Sequence, residues 1–180
     1  MTERLPLLFN PRSGTAKKDP DALMRRLPAE LRARIEPMAF GPPWDYSEAI
    51  GKARRAGGPL LVWGGDGTVH HAMKALRKLD CPVPLAAIPG GSGNGAVRGL
   101  RTPLEPAGAV QRLLEGRELR VDLGLRDGEP FLNLCGTGFE AAVAHGCDAL
   151  GSRGFFGYAK LALGLWRTER PLQVKWDALK

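Results

Sequence analysis

The stretch Pro59–Thr68 constrains this chain more than any other. An apolar run, Pro59-Leu60-Leu61-Val62-Trp63, ends abruptly in Gly64-Gly65-Asp66-Gly67-Thr68. A helical pattern follows at once, with Val69, Ala72, Met73, Leu76 and Leu79 on one face. Glycines let backbone N–H groups approach a ligand with no Cβ in the way. Successive amides at a helix start attract anions, phosphate among them. An aspartate in the same loop repels phosphate unless a cation lies between, so the loop predicts a magnesium-bound nucleotide. It lacks a Gly-Lys-Ser/Thr ending and is therefore not an ordinary P-loop.

The same alternation surrounds it. Leu5–Phe9, Ile35–Phe40, Pro59–Trp63 and Pro84–Ile88 read as strands. Asp19-Pro20 reads as an N-cap with proline at the first helical position. Leu23, Leu27, Leu31 and Ile35 then make a helical face that Pro28 interrupts. Tyr46, Ala49, Ile50 and Ala53 recur at helical spacing before a Gly57-Gly58 stop. Thr102-Pro103-Leu104-Glu105 fits a capping box, opening a helix that runs to about Glu115. Strands separated by such helices predict an α/β doubly wound parallel sheet. The strands of such a sheet end along one edge, where ligands bind. Three of the four lead there into loops of glycine and polar residues: Asn10–Gly14, Gly64–Thr68 and Gly90–Gly95. Arg12 offers a bidentate grip on phosphate, and Ser92 and Asn94 offer hydrogen bonds to a nucleotide. Gly91-Ser92-Gly93-Asn94-Gly95-Ala96 matches a dinucleotide fingerprint formally, but it follows the fourth strand and no strand-ending acid succeeds it. His70 and His71 point about 100° apart on a helix and cannot share a metal well; structural roles are expected for both.

After Arg117 the pattern changes. Leu119–Leu125 alternates like a half-exposed strand, Asp127-Gly128 is a hairpin signal, and Pro130–Leu134 reads as another strand. Gly136–Phe139 reads as a turn with Glu140 after it, 148–167 as a helix and Pro171–Trp176 as a strand. The expected organisation is a domain over 1–117, then the beginning of an incomplete β-rich domain over 118–180. The formal net charge of +7 favours anionic partners, yet the basic residues are scattered and lack the interleaved aromatics of a nucleic-acid binder. Cys81, Cys135 and Cys147 lack metal-ligand spacing and are expected as reduced, mostly buried thiols. Without a leader-like start or a membrane-length apolar run, the expected location is cytoplasmic, with lipid contact only peripheral.

Taken in order, these loops resemble the diacylglycerol kinase catalytic-domain family, which includes bacterial lipid kinases and has sphingosine kinases as relatives. The matching stretches are Asn10-Pro11-Arg12-Ser13-Gly14, Gly64-Gly65-Asp66-Gly67-Thr68 and Ile88-Pro89-Gly90-Gly91-Ser92-Gly93-Asn94 with Arg98. Asp122-Leu123-Gly124, Phe131-Leu132-Asn133 and Gly138-Phe139-Glu140-Ala141 also match. The resemblance implies a Rossmann-like domain followed by a β-sandwich, with ATP and lipid meeting between them. It implies that Asn10, Arg12, Ser13, Gly14, Gly64, Gly65, Gly67, Thr68, Gly91, Ser92 and Asn94 hold nucleotide. Asp66 would be catalytic and act through Mg2+ or as a base toward the lipid hydroxyl, and Glu140 would lie near the lipid. The implied activity is transfer of the γ-phosphoryl group of ATP to a lipid alcohol at an anionic membrane surface, with a homodimer as an expected assembly. NAD kinases share the Gly64–Thr68 element, so an NAD kinase-like activity and a non-catalytic nucleotide-binding module stand as alternatives. The chain departs from the family in having Gly95 where an aspartate usually follows Asn94, and His71 where glutamate is frequent. The family's sandwich also runs well past the position of Lys180 and carries a catalytic acid there.

Overall fold

A computed structural model describes residues 3–11, 19–41, 44–132, 135–149 and 155–166. The chain divides into two compact units, Met1–Asn133 and Leu134–Lys180.

The first unit is built on four parallel strands: β1 (Leu5–Phe9), β2 (Ile35–Ala39), β3 (Leu60–Gly64) and β4 (Leu85–Pro89), in the order β2-β1-β3-β4. Their side chains alternate between two layers, as the twofold period of a strand requires. Leu5, Leu7, Phe9, Leu61, Trp63, Ala86 and Ile88 pack with Leu23 and Leu27 of α1 (Pro20–Arg26) and near it, and with Ala107 and Val110 of α6 (Pro106–Glu115). Leu8, Leu60, Val62 and Ala87 pack on the other side with α3 (Ser47–Ala56), α4 (Asp66–Lys78) and Val97 of α5 (Gly95–Gly99). Burial on both faces is why β1 and β3 read as continuous apolar runs. The chain leaves β1 for β2 on one side and leaves β3 for β4 on the other, so the order reverses between β1 and β3. That switch point is where an open α/β sheet has its crevice. β2 is an edge strand with Pro37 at its centre, opposite Leu7.

Local signals explain the helix ends. Asp19 caps α1 as expected, its carboxylate accepting from the Ala22 amide at 2.9 Å. The face read across Leu23 to Ile35 is divided: α1 stops at Arg26, α2 (Ala29–Ala33) follows Pro28, and Ile35 opens β2. Gly57 ends α3 at φ 65°, a conformation that glycine adopts without penalty. The capping box expected at Thr102 is corrected. Glu105 is the cap of α6, its two oxygens accepting from Ala107 N at 3.0 Å and Gly108 N at 2.7 Å, with Pro106 at the first helical position. Two prolines competed for that position, and the later one took it.

Residues 117–123 form no strand, contrary to the alternation read there; only β5 (Gly124–Arg126) pairs, antiparallel to β6 (Glu129–Phe131). Asp127 and Gly128 turn the hairpin with positive φ at both, 51° and 79°. An ion pair from Lys74 to Glu129 holds this hairpin against α4.

In the second unit the described residues are largely helical. α7 (Phe139–Ala149) begins where a turn was expected, and α8 is Phe155–Trp166. They meet at Gly146, whose missing side chain makes room for Leu161, and the Phe139 and Trp166 rings stand edge to face at 5.7 Å. The strand expected at Pro171–Trp176 lies outside the described residues. Among those residues no helix is long and apolar enough to cross a membrane. Cys81 is half-buried and Cys135 exposed, which corrects the expected burial for Cys135; the Cys147 side chain lies outside the described residues.

Candidate functional site

The loops after β3 and β4 meet at the carboxyl edge of the sheet because both have discarded side chains. A Cβ on Gly91 would stand 2.6 Å from the Cα of Gly65, and one on Gly65 would stand 3.2 Å from the Cα of Gly91. A Cβ on Gly64 would strike the Thr68 side chain at 2.5 Å. Thr68 therefore folds back over Gly64, closing the first turn of α4 onto the strand that precedes it. Gly67 differs from all three: nothing lies within 4 Å of where its Cβ would be. That side of the helix start is open to solvent.

Gly65 is the N-cap of α4 and has no side chain with which to cap it. The helix ladder starts with Val69 N donating to Gly65 O at 3.1 Å. The amides of Asp66, Gly67 and Thr68 precede that first bond and are the orphan donors of the helix start. They coincide with the positive end of the dipole of a 13-residue helix. The arrangement can receive the oxygens of a phosphate.

Asp66 stands at this start and is solvent-exposed. Its Oδ1 accepts from the Ala96 amide at 3.1 Å, and its Oδ2 lies beside Gly93. The carboxylate thus bridges the β3 loop to the start of α5, a contact that sequence reasoning missed. The partner is a backbone amide, which no side-chain pattern announces. Asn94 is used within its own loop: Oδ1 accepts from Gly91 N at 2.9 Å and Gly90 N at 3.3 Å, and Nδ2 donates to Gly91 O at 2.7 Å. Its backbone sits at φ 51°, a left-handed position that asparagine tolerates better than most residues. Arg98 adds a bond from Nε to Gly93 O at 3.0 Å. Ser92 is exposed at the loop tip. Trp63 fixes the floor, donating from Nε1 to the Pro89 carbonyl at 3.0 Å.

Asn10 lies half-buried at the end of β1, on the same edge. Arg12, Ser13 and Gly14 lie outside the described residues. Glu140 belongs to the second unit, in the exposed first turn of α7, where it curls back toward Gly136. One turn along α4 from Asp66, His70 is partly buried. Burial first, then the charges of His71 and Lys74, hold its imidazole below the usual histidine range. The His70 and His71 rings stand 5.8 Å apart at a steep angle, and no group of three potential metal-ligating side chains occurs among the described residues.

The model for the diacylglycerol kinase catalytic domain matches residues 4–125. A probable lipid kinase YegS-like protein of Pseudomonas aeruginosa is 32% identical over 150 residues, covering 81% of this chain and 47% of its own length. A diacylglycerol kinase of Staphylococcus saprophyticus is 26% identical over 153 residues, covering 81% and 48%. The crystal structure of a diacylglycerol kinase from Bacillus anthracis superposes with a TM-score of 0.60 at 25% identity, over 72% of this chain and 45% of that one. The chain spans about half the length of these relatives. The matched segment holds every strand of the parallel sheet and both loops that meet at Gly65 and Gly91, and by it the chain belongs to the diacylglycerol kinase catalytic domain family.

Proposed function

We propose that this chain supplies the nucleotide-binding part of a lipid kinase. The kinase would transfer the γ-phosphoryl group of ATP to the hydroxyl of diacylglycerol or a related lipid. The hydroxyl oxygen forms the new bond to phosphorus, the bond between phosphorus and the oxygen bridging to the β-phosphate breaks, ADP leaves, and the hydroxyl proton passes to Asp66 or to water. The observation that carries this reading is the side-chain-free approach of Gly65 to Gly91 below the uncapped amides of α4. Phosphoryl transfer asks a protein mainly for positioning and charge stabilisation, which amides and a helix dipole provide.

The donor set fits Mg2+. That ion keeps several waters and binds through one or two carboxylates together with substrate phosphates, and Asp66, at the start of α4, offers Oδ2 beside Gly93. Bound there, the ion would neutralise charge on the phosphates. Gly65, Gly67 and Thr68 would present amides to the phosphates, with Gly64 letting Thr68 fold back and Gly91 letting the two loops close. Asn94 would keep the β4 loop in shape and Ser92 would reach the nucleotide. Asn10, Arg12, Ser13 and Gly14 are assigned to the same nucleotide, and Glu140 to the lipid side. The net charge of +7 supports a loose peripheral hold on an anionic membrane.

A second reading, nucleotide binding without transfer, is favoured by one contact: Asp66 already holds the Ala96 amide, a structural task. Magnesium-dependent ATP binding and phosphorylation of diacylglycerol vesicles, measured on a full-length version with Asp66 and with Asp66→Asn, test both readings. Lipid phosphorylation lost in Asp66→Asn supports the kinase. ATP binding with no phosphorylation of lipid or NAD supports the second. Equal rates in both proteins overturn the role of Asp66.

A further inference from the structure

Trp44 occupies a backbone conformation that its side chain makes expensive. Its φ is 62°, in the left-handed region where a bulky residue is a marked outlier. Strain of this kind persists where the side chain has a use. Packing alone is a poor account of it, because Trp44 remains 42% exposed. Its ring rests on Phe40, centroids 5.2 Å apart, and Phe40 is backed in turn by Tyr46 at 4.3 Å. An aromatic ring is thus propped on a buried aromatic pair and left partly open.

Its place in the fold gives the open ring a meaning. Phe40 N donates to Phe9 O at 2.9 Å, which continues the β1–β2 ladder to the carboxyl edge beside Asn10. The end of β2 lies two strand spacings, about 10 Å, from the end of β3 where Gly65 and the α4 amides sit. The neighbouring charge fixes the polarity. Asp45 receives a bond from Ser47 N at 2.9 Å, and its hydrogen bonds from Ser47 hold the carboxyl below the usual range. An ionised carboxylate repels phosphate but accepts from sugar hydroxyls, as the ribose-binding acid of dinucleotide folds does.

We infer that Trp44 is the stacking platform for the nucleotide base, with Asp45 toward the ribose and the phosphates at the start of α4. The inference rests on the nucleotide reading above and adds the direction in which the nucleotide lies. Stacking on an aromatic side chain is sequence-tolerant and strong enough to matter for affinity.

The test compares ATP with inorganic tripolyphosphate, which has the phosphates and no base. Both are titrated calorimetrically with Mg2+ into wild type, Trp44→Gly and Trp44→Phe, with circular dichroism to confirm folding. Glycine suits the left-handed backbone, so the fold is retained. Trp44→Gly is expected to weaken ATP by roughly tenfold or more, leave tripolyphosphate unchanged, and be largely rescued by Trp44→Phe. ATP affinity within twofold of wild type in Trp44→Gly overturns the stacking role while the nucleotide reading stands. Equal loss of ATP and tripolyphosphate overturns it too, since the effect would not belong to the base. A wild-type protein that binds neither overturns the nucleotide reading and this inference together.

Discussion

The glycines of the two meeting loops are interchangeable in sequence and different in physics, and alanine separates them. At Gly91 an added Cβ meets the Gly65 Cα at 2.6 Å. Relaxed carbon contacts sit at about 3.5–4.0 Å, so one loop must retreat by about 1 Å. The obstacle is backbone, with no rotamer to escape through. Overpacking of this kind costs about 1–3 kcal/mol, and Gly91→Ala belongs at the upper end. At Gly65 the reciprocal contact is 3.2 Å, so Gly65→Ala is expected to cost about 1 kcal/mol. At Gly67 no atom lies within 4 Å and the position is helical. Alanine there removes unfolded-state freedom and stabilises by up to ~0.5–1 kcal/mol. The stability order is therefore Gly67→Ala, wild type, Gly65→Ala, Gly91→Ala. With a urea slope of about 2 kcal/mol/M, the extremes differ by about 1–2 M in midpoint, readable by far-ultraviolet circular dichroism. Nucleotide binding is expected to invert part of the order, because the methyl of the stable Gly67→Ala sits where a phosphate would approach. The reasoning is refuted if Gly91→Ala unfolds within about 0.3 kcal/mol of wild type, a difference far below any overpacking cost.

Three further outcomes follow from the same structure. The Tyr46 hydroxyl is buried without a hydrogen-bond partner among the described residues, and burial pushes its pKa up to about 12; Tyr46→Phe should stabilise by about 1 kcal/mol in urea unfolding, and a loss would show that the hydroxyl has a partner in solution. Glu105→Ala removes both cap bonds of α6 and should cost about 1 kcal/mol, visible as a thermal midpoint some 2–4 °C lower. For His70, whose pKa is lowered in the folded protein, the unfolded chain binds the proton more readily. Stability should fall as pH drops below the ordinary value of 6.5 toward the depressed one and be flat above it; His70→Gln should shrink that slope in urea midpoints measured across pH.

Much of the first unit was legible because its elements announce themselves locally. β1 and β3 are short apolar runs since both faces are covered, and their parallel direction places their polar loops on one edge. Asp19-Pro20 and Gly57 marked helix ends for reasons of backbone chemistry that need no tertiary context. Elsewhere the deciding partner was remote. The alternation of Leu119, Val121 and Leu123 satisfies the period of a strand, but a strand exists only through a ladder, and residues 117–123 have none among the described residues. α7 was obscured by Gly136-Thr137-Gly138 before it and by Gly146 within it, a glycine that serves the approach of Leu161 rather than a turn. At the site, the side chains could be listed from the sequence, but their tasks could not. Asn94 shapes its own loop and Asp66 holds Ala96 because backbone amides, which every residue carries, are their partners.

The proline at the middle of β2 also bears on how copies of this chain meet. An edge strand is a template, a row of amides and carbonyls on which another strand can be laid. Pro37 carries no amide hydrogen, and its ring stands where the next strand would dock. The sheet can therefore be read from β4 to β2 but not continued past it. In this chain the loops after β3 and β4 open at the carboxyl edge while the lateral edge at β2 stays silent.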